Sequence, residues 1–171
     1  MTANKKRFLA FLPLILAGAT ACSSPDPSRA SVLADEGPSR AYVDSHNVPY
    51  HGVALDGYCP VAYFAVNKPV RGKSEHASIH DGITYYLVSA EAKQAFDAEP
   101  EKYVPAYGGW CAFGMSVEDK FPVDPRNFKI VDGRLMLFLK NPGVDARTLW
   151  NRGNESELVS KANAHWDKVQ G

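Results

Sequence analysis

Apolar and polar positions along this chain change period several times, and each change marks an element. His76-Ala-Ser-Ile-His-Asp-Gly-Ile-Thr-Tyr-Tyr-Leu-Val88 places two β-rich arms around Asp81-Gly82. An Asp-Gly pair between such arms predicts a hairpin, because both turn positions demand positive φ. Phe128 to Leu139 repeat the arrangement around Asp132-Gly133. After Ser89, Ala92, Ala95 and Phe96 recur at helical spacing, which predicts a capped helix from Ala90 to about Ala98. Pro100 suits the first turn of a short helix through Tyr103, and Pro105 stops it. A helical piece is expected around Ala146 to Trp150. Asn154 and Glu157 then form a capping-box-like pair ahead of a last helix with Leu158, Ala162 and Trp166 as its buried stripe. Hairpin–helix, hairpin–helix predicts an α+β domain: a small antiparallel sheet built from two Asp-Gly hairpins, with helices packed on one side. The order suggests two analogous halves, although residue identity between them is too thin to read as a repeat.

The first 45 residues have a different pattern. Lys5-Lys6-Arg7 is a charged n-region, Phe8 to Ala17 a short apolar run, and Ala19-Thr20-Ala21 a small-x-small cleavage form. Together they predict an export signal over residues 1–21. The apolar run is too short for a stable span and contains Pro13. Ala19-Thr20-Ala21-Cys22 resembles a bacterial lipoprotein box, with Ala19 where a branched residue is usual. Cys22 is therefore the expected lipidation site, anchoring the chain to a membrane without spanning it. An ordinary signal-peptidase site with an incidental cysteine is the alternative. Residues 22–45 are rich in Ser, Pro, Asp, Arg and Ala and nearly devoid of large apolar side chains. They cannot bury enough surface to order themselves, and are read as a flexible tether to a domain over 46–171. The expected location is the bacterial cell envelope, with the lipid anchor in the outer membrane and the domain facing the periplasm.

Charge narrows the partners. The chain carries nineteen basic and nineteen acidic residues. Removing the three cations of the signal leaves sixteen against nineteen, net −3. Nucleic acid is excluded as the expected partner, since binding it needs a basic excess to displace counterions. A 45 % hydrophobic content is enough for a real core.

The densest stretch is Tyr107-Gly-Gly-Trp-Cys-Ala-Phe-Gly-Met115, expected to come after the helices and to pack under the first hairpin. With Gly57-Tyr-Cys-Pro-Val-Ala-Tyr-Phe64, Tyr85-Tyr-Leu-Val-Ser89 and the Phe96 to Tyr103 segment, it resembles the YHS-domain family. The closer likeness is to the longer exported form, in which a Gly-Tyr-Asp-Pro-Val-Ala-Tyr-Phe element precedes a Tyr-Gly-Gly-Tyr-Cys element. The resemblance runs from about His46 to the C-terminus. It implies a binding or sensing module, and the short modules of the family imply soft-metal binding through two cysteines. Those two cysteine positions hold Ala62 and Val88 here, so those ligands do not carry over. Cys59 stands where the longer form has Asp, which sets a second thiol beside Cys111.

Three readings of the thiols stay open. Cys59 and Cys111 can form a structural disulfide, an ordinary outcome for an even pair in an oxidising compartment. That bond would stabilise by about 4 kcal/mol and needs Cα atoms within about 7 Å. Alternatively Cys59, Cys111 and Met115, with His51 as a nitrogen donor, could hold a soft metal such as copper. Both thiols could also be buried and unpaired. No nucleophile elbow, phosphate loop or HExxH is present, and an enzyme acting through a Cys–His pair ranks third. His76 and His80 lie more than about 12 Å apart along an extended strand and read as a solvated hairpin face. The dense aromatics read as core in preference to a ligand cleft.

Overall fold

The computed structural model describes residues 45–49 and 51–170. The expected signal over 1–21, the lipidation site Cys22 and the tether up to residue 44 lie outside the described residues.

Among the described residues, six helices and six short strands make a mixed α+β fold. In chain order they are α1 (Pro60–Ala65), β1 (Lys73–His80), β2 (Ile83–Leu87), α2 (Ala90–Ala98), α3 (Pro100–Tyr103), α4 (Ala112–Ser116), β3 (Asp124–Val131), β4 (Arg134–Phe138), β5 (Lys140–Asn141), β6 (Val144–Asp145), α5 (Ala146–Arg152) and α6 (Glu155–Gln170). Local chemistry explains most boundaries. Between β1 and β2, Asp81 and Gly82 both have positive φ, 49° and 77°, a twist that matches right-handed strands. Asp132 and Gly133 repeat this between β3 and β4, at 49° and 73°. The Ser89 hydroxyl accepts from the Ala92 N–H at 3.2 Å and starts α2. Asp145 caps α5 by accepting from Arg147 and Thr148, and the Asn154 side chain accepts from Glu157 at 3.3 Å.

The hairpins do not merge into one sheet. β1 pairs only with β2, β3 only with β4, and β5 with β6. The far edge of each inner strand is occupied locally: Val53 bridges Thr84 on β2, while Pro105 and Cys111 bridge Leu135 and Leu137 on β4.

Those bridges belong to an internal duplication. Registers agree at an offset of 51: Lys73 pairs with Leu87 and Ala77 with Tyr86, as Asp124 pairs with Phe138 and Phe128 with Leu137. Even the register break falls at the same place, between Lys73 and Ala77 and between Asp124 and Phe128. Ahead of each hairpin sits a short left-handed turn. Leu55, Asp56 and Gly57 have φ of 57°, 49° and 79°; Tyr107, Gly108 and Gly109 have φ of 56°, 57° and 82°. Each turn leads through an aromatic residue and a cysteine into a short helix, Tyr58-Cys59 into α1 and Trp110-Cys111 into α4. The backbone N–H of each aromatic residue closes its turn, Tyr58 onto Leu55 at 2.9 Å and Trp110 onto Tyr107 at 3.0 Å. The shared local pattern is Ala-x-x-Gly-aromatic-Cys.

The halves diverge at their C-terminal helices. After α2, the first half ends with the single turn of α3 at Tyr103, whereas in the second half α6 continues to Gln170 and lies along α4. The cores differ accordingly. The first cluster gathers Leu55, Cys59, Tyr63, Leu87 and Phe96, with Leu135 and Leu137 reaching in from β4. The second gathers Tyr107, Cys111, Met115, Phe138, Trp150 and Ala162. Burying each large side chain of this kind stabilises the fold by about 1.5–3 kcal/mol.

The Tyr107–Met115 segment thus packs against β4 and α6, not under the first hairpin. Cys111 bridges Leu137, and Gly114 lets the loop close over α4. A Cβ at Gly114 would lie 2.8 Å from the Phe121 ring and 3.0 Å from the Asp119 carbonyl.

Candidate functional site

The four expected metal ligands do not converge. Cys59 is fully buried in the first core cluster, immediately before α1. Cys111 is fully buried in the second, where its Sγ accepts from the Leu139 N–H at 3.3 Å and the Gly114 N–H at 3.5 Å. Burial pushes the Cys111 thiol pKa up, against the pull of those backbone donors. Met115 shares the Cys111 cluster and is core filling, its N–H donating to the Cys111 carbonyl at 2.9 Å. His51 is exposed, and its Nδ1 accepts from the Val53 N–H at 3.4 Å. Both thiols are free. As counterparts in two halves, the cysteines are tied into separate cores.

A polar cleft of about 430 Å³ forms instead where the hairpin tips approach the left-handed Tyr107-Gly108 turn. One wall comes from the first tip and α3. His80 Nε2 lies 2.9 Å from Glu101 Oε1 and 3.5 Å from Asp81 Oδ2. The donor atoms of His80, Asp81 and Glu101 all lie within 4.8 Å of one another. The His80 ring meets Phe96 edge-on at 6.4 Å, which fixes its plane.

The opposite wall belongs to the second half. Arg134 opens β4 beside the Gly133 turn, and its Nη1 donates to Asn163 Oδ1 at 2.9 Å. Its guanidinium carbon lies 5.0 Å from the Tyr107 ring centroid. The Tyr107 hydroxyl donates to the same Asn163 oxygen at 3.0 Å, and its ring meets Trp166 at 6.4 Å. Burial raises the Tyr107 phenol pKa, with Arg134 opposing the shift. Among the described residues, no carboxylate lies within ion-pair distance of Arg134.

The third wall is the start of the described domain. Asn47 donates its backbone N–H to the Gly108 carbonyl at 2.8 Å and its side-chain amide to the Gly109 carbonyl at 3.0 Å. Trp110 Nε1 donates to the Ser45 carbonyl at 3.0 Å. His46 is thereby set edge-on to Trp166 at 5.9 Å, on the rim of the cleft.

The duplication explains why this place stands out. Arg134 corresponds in register to Ile83, Tyr107 to Leu55 and His80 to Val131. Ile83, Leu55 and Val131 are buried aliphatics, at 2 %, 5 % and 5 % exposure. Each scaffold position can therefore be filled by plain packing, yet polar or aromatic groups stand at the cleft.

Catalytic geometry is lacking elsewhere among the described residues. Ser78, Lys93 and Asp97 form a compact trio, with Lys93 Nζ donating to Ser78 Oγ at 2.8 Å and Ser78 donating to Asp97 at 2.5 Å. Lys93 also donates to Asp97 at 2.7 Å. A lysine donating to both partners is not placed to remove a proton from the serine, and the trio clasps α2 onto β1.

Sequence reasoning missed His80, Asp81, Glu101, Arg134 and Trp166 as a group. His80 reads as solvated hairpin surface and Trp166 as helix stripe. The available signal was the comparison of the two Asp-Gly tips, His80-Asp-Gly-Ile83 against Val131-Asp-Gly-Arg134.

No protein-family model, no curated protein and no solved structure matches this chain.

Proposed function

We propose that this chain is a non-catalytic binding module whose ligand seat is the cleft between the two halves. The observation that carries the reading is the placement of His80, Tyr107 and Arg134 on that cleft, at positions the other half fills with buried aliphatics. The aromatic walls and a few convergent polar groups are the ordinary make-up of a small-molecule site. In this reading the chain is exported and held to the envelope through Cys22, the binding or sensing role that the YHS resemblance implies. Replacing Cys22 with Ser then releases the protein from the membrane fraction. Retention of the variant would rule out the lipid anchor.

A small-fragment screen monitored by amide and indole NMR tests the seat. Hits are expected to move the Trp166 indole N–H and the Gly108 and Gly133 amides. Hits confined to other surfaces would overturn the assignment.

A second reading is favoured by the mutual approach of His80, Asp81 and Glu101. One imidazole and two carboxylates suit a borderline divalent ion such as zinc or copper(II), and lack the sulfur that selects copper(I). Zinc titration by calorimetry checks this, with His80→Ala expected to abolish the binding and Cys111→Ala to leave it unchanged.

A further inference from the structure

The chemical class of the ligand can be taken further, an inference that rests on the cleft being the seat. We propose that Arg134 is the anion-anchoring residue of the cleft, and that the ligand is a small organic oxyanion held against the Tyr107–Trp166 wall.

Arg134 is half-buried and permanently charged, and a guanidinium offers five N–H donors in a rigid fork. One nitrogen donates to Asn163 and the group faces the Tyr107 phenol, both neutral partners. Partly desolvating a charge is unfavourable unless an opposite charge compensates it. The cleft's own carboxylates do not compensate this one. Glu101 and Asp81 are both turned to His80, at 2.9 and 3.5 Å. Lys102, the other lysine or arginine lining the cleft, already pairs with Glu99 at 3.2 Å.

Packing does not require the charge either. The matching position in the first half holds Ile83, at 2 % exposure. Meanwhile Asn163 and the Tyr107 face fix the guanidinium plane before any ligand arrives. A fork that is charged, oriented and lacks an acidic partner is matched geometrically by a carboxylate or phosphate, which takes two parallel N–H bonds. Trp166 beside it supplies a surface for a flat apolar body.

The test uses the full chain, ¹⁵N-labelled, with three probes: benzoate, benzamide as its uncharged analogue, and inorganic phosphate. Benzoate is expected to move the Arg134 Nε–H and Trp166 indole resonances, and benzamide to leave them in place. Phosphate moving the Arg134 resonance but not Trp166, with benzoate moving neither, would assign the oxyanion to an inorganic source and overturn the organic part of the proposal. Arg134→Gln should weaken benzoate by about 10- to 100-fold, the usual range for hydrogen bonds to a charged group. Arg134→Lys keeps the charge without the fork and should weaken it several-fold, which keeps the test open if the Gln variant fails to fold. Equal binding of benzoate and benzamide, or benzoate affinity unchanged in either folded variant, would overturn the proposal. Neutral fragments entering the cleft while no oxyanion does would sink this inference and leave the seat standing. If nothing enters, the seat itself fails.

Discussion

Cys59 and Cys111 occupy the same place in the two halves of the chain. Each directly precedes a short helix, and each donates its backbone N–H to the segment leading into its own hairpin: Cys59 to Val70 at 2.8 Å, Cys111 to Phe121 at 3.1 Å. They are counterparts, and each is committed to its own core. Both thiols should therefore resist a thiol reagent in the folded protein and react fully in denaturant. A reducing agent should leave Tm unchanged. A mass lower by two hydrogens before reduction, or a Tm that falls with reductant, would contradict this arrangement.

Gly108 has a second duty beyond its φ of +57°. A Cβ there would sit 2.8 Å from the Trp166 ring, and 2.9 Å from both the His46 ring and the Ser45 carbonyl. Gly108→Ala should cost about 2–4 kcal/mol, combining left-handed strain with overpacking. Gly82→Ala is the control, since nothing lies within 4 Å of its Cβ position, and should cost about 1–2 kcal/mol. Chemical denaturation of the two variants measures the difference, and equal losses would show that the three walls do not meet at Gly108.

Glu155 ties the second hairpin to the start of α6. Its carboxylate accepts from Lys129 and, at 2.8 Å, from the indole N–H of fully buried Trp150. The hydrogen bond from Lys129, then that from Trp150, lowers its pKa. A carboxyl lowered in the folded state contributes stability above its unfolded pKa, and loses it as pH falls through the folded value. Tm should decline on acidification through and below the ordinary carboxylate range, and Glu155→Gln should flatten that decline. With the Glu155 side chain 40 % exposed, solvent screening limits the neutral-pH loss to under about 1 kcal/mol. An identical acid limb in the variant would assign the decline to other carboxyls.

Much of the fold was legible because its signals are local. Two Asp-Gly pairs mark both hairpins, Ser89 marks the start of α2, and Pro100 marks α3. The cleft was not legible for the opposite reason. Residues 80–81, 101, 107, 134 and 166 come together only after both halves fold, and nothing in the spacing of His80 relates it to Trp166. The left-handed turns were hidden too, since Leu55 and Tyr107 are not residues that advertise positive φ. The cysteines misled by pairing well on paper. Their matching surroundings, Ala-x-x-Gly-aromatic-Cys, record duplication and not proximity.

If the polar groups at the two tips serve a ligand and not the scaffold, their removal should leave the fold intact. Thermal unfolding of a double variant, His80→Val with Arg134→Ile, shows this without knowing the ligand, because each tip then carries the residue its counterpart already packs. The groups lost are an exposed histidine–glutamate contact and one arginine–asparagine bond, worth about 1 kcal/mol each at most, and added apolar burial offsets them. The expected Tm lies within about 5 °C of the parent or above it, since 1 kcal/mol shifts Tm by only a few degrees in a domain of this size. A fall of more than about 10 °C would show that His80 and Arg134 hold the fold together, and would contradict a ligand-serving role for the tips.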